Sequence, residues 1–171
     1  MDYENIEIDE QTRLVQLQPD QAGRLFELTD KNRAYLGEFL PWPHLVKVID
    51  DSRTHIEETL EKRAQNIAYT YGIEQDGEIV GDISIRNLNG TEKLPEIGYW
   101  ISPDYAGKGI TTKAVQAITN LGLSTLGLDT IIIRASPLNG ASNKVAEKAG
   151  YVQVGSETKD GERLNIWSSK G

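Results

Sequence analysis

The residues best placed to do chemistry in this 171-residue sequence lie between Glu96 and Thr112, where an apolar run ends at Ser102-Pro103 and Gly107 and Gly109 follow. Directly after them Ala114, Val115, Ile118 and Leu121 recur at helical spacing, so the pattern is a strand feeding a helix N-terminus. Glycines there let the backbone approach a ligand. The unpaired N–H groups of a first helical turn, with the positive end of the helix dipole, attract phosphate. The implied ligand is a phosphate-bearing cofactor. A dinucleotide fingerprint would require glycine at Thr112 and an acidic residue after the next strand, where Ser136-Pro137 stands instead. A nucleotide P-loop would require Ser or Thr directly after Gly107-Lys108, where Gly109 stands. On the glycines alone, a tight turn that binds nothing fits as well as a cofactor site.

Composition narrows the chemistry further. Cysteine is absent, which removes disulfides, thiolate metal sites and any cysteine-linked acyl intermediate. Any acyl transfer is therefore expected to be direct. His44 and His55 lack the spacing of a metal-binding helix, so no metal is expected. The formal net charge of −8 argues against nucleic-acid binding and is compatible with cationic partners such as amines or basic peptides. No apolar run approaches the ~20 residues of a membrane span. The start, Met1-Asp2-Tyr3-Glu4-Asn5, is acidic and polar, unlike a secretory signal. The expectation is a cytoplasmic protein, monomer or homodimer, with no membrane partner, folded as a single domain over residues 1–171.

The segment Ile101-Ser102-Pro103-Asp104-Tyr105-Ala106-Gly107-Lys108-Gly109 resembles the acetyl-CoA-binding segment of the GNAT acetyltransferases, a hydrophobic strand followed by Gln/Arg-x-x-Gly-x-Gly/Ala. The family's later motif, an Asn-x-x-Ser/Ala helix start running into Lys-x-Gly-Phe/Tyr, is matched by Asn139-Gly140-Ala141-Ser142 and Lys148-Ala149-Gly150-Tyr151. Upstream, Asn32-Arg33-Ala34-Tyr35-Leu36 and Phe39-Leu40-Pro41-Trp42 look like the N-terminal signature of the branch that includes ribosomal-protein N-terminal acetyltransferases. Two departures stand out: Ala106 replaces the usual Gln or Arg, and Thr111 the usual Gly or Ala. The resemblance implies acetyl-CoA as cosubstrate, with pyrophosphate held mainly by backbone amides along Ala106, Gly107, Lys108, Gly109, Ile110 and Thr111.

The implied reaction is attack of a neutral primary amine on a thioester, which requires amine deprotonation, oxyanion stabilisation and protonation of the leaving thiolate. By resemblance the backbone of Trp100 and Ile101 binds the pantetheine arm and the carbonyl oxygen, while their side chains also read as sheet core. The family's usual acid, a tyrosine seven residues beyond the motif Asn, is replaced by Ala146. Ser142 is then the expected acid, and Asn139 and Ser142 are expected cofactor contacts. Both equally read as helix-start residues bonded to the local backbone. Glu96 matches a position where the family places an acid working through water; it also reads as a surface or loop-pairing residue, and Glu157 or Glu162 could serve instead. Tyr35, Phe39 and Trp42 are candidates for the acceptor wall, or ordinary helix-packing aromatics. The expected acceptor is a protein N-terminal amine, possibly of a ribosomal protein. The alternatives are a small-molecule amine (polyamine, amino acid or aminoglycoside-like compound) or a non-catalytic acyl-CoA-binding module.

These residues need a scaffold, and hydrophobic periodicity supplies one. A hairpin is predicted over Ile6–Leu17, a helix capped by Asp20, a second near Tyr35–Leu40 and a third over Asp51–Gln65. Strands follow at Ile67–Glu74 and Glu78–Arg86, joined by a tight Asp76-Gly77 turn, and a polar loop runs from Asn87 to Lys93. After the strand Glu96–Ser102 and the glycine loop come a helix, a strand (Thr130–Ala135), a helix (Gly140–Ala149) and a hairpin of Tyr151–Glu157 with Glu162–Ser168. The sum is a mixed α/β fold, which the resemblance sharpens to a mostly antiparallel GNAT-like sheet with a splayed central strand and helices on both faces.

Overall fold

The computed structural model describes residues 3–90 and 93–170. Met1 and Asp2 of the polar start, and Thr91 and Glu92 of the polar loop, lie outside the described residues. The strands are β1 (Asn5–Glu7), β2 (Thr12–Val15), β3 (Tyr69–Gln75), β4 (Glu78–Arg86), β5 (Glu96–Ile101), β6 (Ile132–Ala135), β7 (Val152–Lys159) and β8 (Glu162–Ser168). They form one sheet in the order β1-β2-β3-β4-β5-β6-β8-β7. All neighbours are antiparallel except β5 and β6. Two Asp-Gly pairs turn the hairpins: Asp76 and Gly77 have φ of 51° and 83°, Asp160 and Gly161 of 51° and 81°. Positive φ at both central residues matches the strand twist, which is why Asp-Gly closes two-residue loops.

The α-helices are α1 (Ala22–Lys31), α2 (Arg33–Gly37), α3 (Ile49–Ala64), α4 (Ile110–Asn120) and α5 (Gly140–Lys148). Alternation along the strands splits the apolar residues between two faces. Leu14, Tyr71, Ile73, Ile83, Ile85, Ile97 and Ile133 join Ile110, Ala114, Val115 and Ile118 of α4 and Ala146 of α5 in the larger core. Val15, Leu17 and Ile79 join Leu25 and Leu28 of α1 and Ile56 of α3 in the smaller one, with Trp100 packed at its margin. Helices thus cover both faces, as the pattern and the resemblance implied. Among the described residues no helix is long and apolar enough to cross a membrane.

Three helix starts differ from the sequence reading. Asp20 does not cap α1; it lies in a 3-10 turn, Pro19–Gln21, where the Gln21 side chain accepts the Gln18 N–H at 2.8 Å. The second helix begins at Arg33 rather than Tyr35, directly after Asn32, whose side chain donates to the Leu28 carbonyl at 3.0 Å. α3 begins at Ile49 because Asp51 is not its first residue. Its carboxylate reaches back to the N–H groups of Lys47 and Val48 at 2.8 and 3.0 Å, satisfying orphan donors of a turn that starts two residues earlier.

Candidate functional site

The glycine loop is a cradle of backbone. Gly107 and Gly109 have φ of 77° and 81°, a left-handed region that side chains with a Cβ enter at a cost. A Cβ at either position would meet no heavy atom within 4 Å, so the loop faces open space. The Lys113 N–H donates to the Gly109 carbonyl at 3.1 Å, which leaves the N–H groups before it at the helix mouth with the dipole's positive end. Ile110 and Thr111 are buried, 6% and 9% exposed, so their side chains are not offered to a ligand. The Lys108 ammonium lies 5.5 Å from the Tyr105 ring centre, on the same loop. Ala106 differs from its neighbours: its N–H already donates to the Pro103 carbonyl at 3.3 Å, and its methyl packs on the larger core. The residues present therefore fit a pyrophosphate from Gly107 onward.

β5 leads into this cradle. It pairs with β4 along its whole length, from Arg86↔Glu96 to Gly81↔Ile101, but with β6 at the single rung Glu96↔Ile132. Beyond that rung the two parallel strands diverge, and among the described residues the β6-facing edge of β5 has no strand partner up to Trp100 and Ile101. The side chains of these two residues point to opposite faces. Ile101 belongs to the larger core, while the Trp100 ring meets Trp42 with centroids 5.8 Å apart. The edge without a strand partner thus offers backbone N–H and C=O groups.

Ser142 lies across the gap, in the first turn of α5. Asn139 is the N-cap, its side chain accepting the Ser142 N–H at 3.1 Å, so the local-backbone role expected for it is present. The Ser142 hydroxyl donates to the Tyr99 hydroxyl at 3.1 Å, and the Tyr99 hydroxyl donates to the Ser142 carbonyl at 2.9 Å. The sequence reading missed Tyr99 as a site residue. It also missed Asn143, whose side chain donates to the Ser136 and Asn139 carbonyls at 2.8 Å each and accepts from Asn165 at 3.0 Å and Trp167 at 2.8 Å. Asn143 thereby pins the start of α5 to β8.

Glu96 is buried and committed. Its Oε1 accepts from Arg134 Nε and Nη2 at 3.0 and 2.6 Å, its Oε2 from Arg86 Nη2 at 3.0 Å, and Arg134 also pairs with Glu157. Burial pushes the Glu96 carboxyl up, but the Arg134 hydrogen bond and the charges of Arg86 and Arg134 outweigh it and hold the group below its ordinary range. A carboxylate so stabilised is a weak base. The arrangement reads as an ion-pair hub locking β4, β5, β6 and β7 where the sheet begins to splay, and Glu157, one of the alternative bases, is part of it. Glu162, the other, is exposed at the hairpin turn.

Because the Glu96 carboxyl titrates lower in the folded chain than its ordinary 4.5, its contribution is present above that pH and is lost as the pH falls through the lower folded value. Glu96→Gln should cost about 2–3 kcal/mol, the loss of a buried partner discounted because the Arg86 side chain is 48% exposed. Urea melts from pH 7 to pH 3 check this. The variant should show a shallower acid decline than the parent, and an identical decline would assign the acid sensitivity elsewhere.

On the α1/α3 face the residues read as an acceptor wall spread along α2 and the segment after it. Trp42 touches Trp100, whereas Tyr35 and Phe39 stay 45% and 36% exposed. Nearby, Asp82 sits opposite Trp100 in register, with His55 Nε2 at 3.4 Å from its carboxylate. The sequence separation of 27 residues between His55 and Asp82 gave no signal for that pair.

Residues 11–152 match the family described as acetyltransferase (GNAT) domain. The chain is 31% identical to the putative ribosomal N-acetyltransferase YdaF of Bacillus subtilis (strain 168), over 92% of this chain and 86% of that protein. It is 28% identical to the ribosomal-protein-serine acetyltransferase of Escherichia coli (strain K12), over 95% and 90% of the two chains. Among solved structures, that of the microcin C7 self-immunity acetyltransferase MccE in complex with acetyl-CoA and AMP aligns with a TM-score of 0.89 at 25% identity, covering 98% of this chain and 96% of that one.

Proposed function

The chain belongs to the GNAT acetyltransferase family, and on that premise we propose that it transfers acetyl directly from acetyl-CoA to the α-amine of a protein N-terminus. The observation that supports the reading is the single rung between β5 and β6, which opens the strand that leads into the glycine cradle and whose Tyr99 meets the Ser142 hydroxyl. The cradle amides from Gly107 to Thr111 hold the pyrophosphate. Backbone groups at Trp100 and Ile101 bind the arm and polarise the carbonyl oxygen. The amine attacks from the α1/α3 face; as the C–N bond forms and the C–S bond breaks, Ser142 gives a proton to sulfur and the nitrogen loses one to water. Glu96 serves as the anchor of the splay rather than as the base. An α-amino group titrates near ~8, against ~10.4 for lysine, so a useful fraction is already neutral at physiological pH.

The names of the two curated relatives support a ribosomal or other protein N-terminus as acceptor, and the exposed Tyr35 and Phe39, with Trp42 against Trp100 of β5, offer an aromatic surface. An acceptor screen following CoA release tests this, with peptides bearing free N-termini and small amines side by side. Turnover of the peptides is expected. Turnover confined to polyamines or amino acids would overturn the acceptor, and saturation by acetyl-CoA without any turnover would overturn catalysis.

Trp42→Ala separates wall from core. The peptide KM should rise about tenfold, equivalent to losing ~1.4 kcal/mol of aromatic contact, while acetyl-CoA affinity changes little. Equal losses in both would make Trp42 a packing residue.

A further inference from the structure

We propose that Tyr99 is a positioning residue for the transfer, the group through which the Ser142 hydroxyl is aimed and resupplied with a proton. This rests on the reading of Ser142 as the donor to sulfur. The two hydroxyls form a closed pair: Ser142 Oγ donates to the Tyr99 hydroxyl at 3.1 Å, and that hydroxyl donates to the carbonyl of Ser142 itself at 2.9 Å. Neither end is loose. The Ser142 backbone is fixed by the Asn139 cap, and the Tyr99 ring extends from β5 against the larger core. One turn further along α5, Ala146 is fully buried and offers no hydroxyl, so the strand supplies the phenol that the helix lacks.

The chemistry follows from the pair. Burial pushes the Tyr99 phenol up to about 12, which keeps it a proton donor throughout the physiological range. As the C–S bond breaks, the Ser142 O–H turns from the Tyr99 oxygen, to which it donates at rest, and gives its proton to sulfur. The Tyr99 O–H turns from the carbonyl to Ser142 Oγ and passes its proton there, and the phenolate recovers one from water. The nitrogen releases one proton to water when the amide forms, so the sum is balanced. A phenol is a stronger acid than an alkyl hydroxyl, and this relay spares the serine from standing as an alkoxide.

The test is a double-mutant cycle on the full chain with Tyr99→Phe, which keeps the ring, and Ser142→Ala. Tyr99→Phe should lower kcat about a hundredfold, the low end of what a positioned acid contributes, with acetyl-CoA KM within about twofold. In the Ser142→Ala background the same change should cost nothing more, because the two act as a unit. Losses that multiply, or a Tyr99→Phe loss of only about twofold, would reduce Tyr99 to a packing residue while leaving the Ser142 assignment standing. A Ser142→Ala variant of full activity would remove both. Should Tyr99→Phe fail to fold, fluorotyrosine at position 99, which keeps the ring and makes the phenol more acidic, decides under single-turnover conditions. A rate that shifts with ring fluorination is expected, and a rate unmoved by it contradicts the relay.

Discussion

Ser142→Ala lowers turnover roughly 10²–10⁴-fold, the span expected when a general acid is removed, and leaves acetyl-CoA affinity within about twofold. Two features of the geometry lead to that split. The hydroxyl bonds to the Tyr99 hydroxyl at 3.1 Å and to no group of the glycine loop, so its loss leaves the proposed phosphate-holding amides as they are. Its backbone N–H, which the Asn139 cap engages at 3.1 Å, survives the substitution, so α5 keeps its start. The hydroxyl acts only as negative charge gathers on sulfur, and an interaction made only in the transition state appears in kcat. Steady-state rates with varied acetyl-CoA, alongside calorimetric titration, check the prediction. A loss of a few fold would show that water or a backbone donor serves the sulfur and that Ser142 only starts the helix.

Gly109→Val weakens acetyl-CoA binding by at least about tenfold, since holding a side chain in the left-handed region costs about 1–2 kcal/mol and a β-branched one more. Gly109 is the N-cap of α4, at φ 81° and ψ 1°. The new methyl groups would enter the open space in front of the amides rather than any protein wall, so they stand where phosphate oxygens must approach. Ala106→Gln is the matched control. Its side chain restores the donor the family usually carries there, and affinity should hold or improve. Calorimetry on the two variants, with thermal melts confirming that both fold, tests the cradle. Full affinity in Gly109→Val would move the phosphate site off this loop.

Much of this was legible in residue order because it is encoded locally. The glycine pair, the Asn139 cap, the Asp-Gly turns and the alternation that sends Ile97 and Ile101 to one face are each contained within a few residues, and their physical meaning does not depend on distant parts of the chain. What was not legible is pairwise and distant. Tyr99 and Ser142 are 43 residues apart, and Arg134 lies 38 from Glu96 and 23 from Glu157. No periodicity marks which charged residues will face one another across a sheet whose order runs β6-β8-β7. Glu96 shows the consequence. In sequence it is a carboxylate at the mouth of the central strand, eligible as a base; in the fold, two guanidinium groups fill its acceptor sites and lower its basicity. Helix starts fell between these cases, because a carboxylate such as Asp51 can cap from inside the first turn as well as from before it.

Direct transfer of acetyl to an N-terminal amine is tested by following the acetyl group itself. The unaltered enzyme is mixed with acetyl-CoA labelled in the acetyl group and a peptide whose only free amine is its N-terminus, and the products are weighed and sequenced by mass spectrometry. Label is expected on the α-nitrogen, with one equivalent of free CoA for each peptide acetylated and no labelled protein at any time in the course. Label trapped on the enzyme, or CoA released without peptide acetylation, would contradict direct transfer.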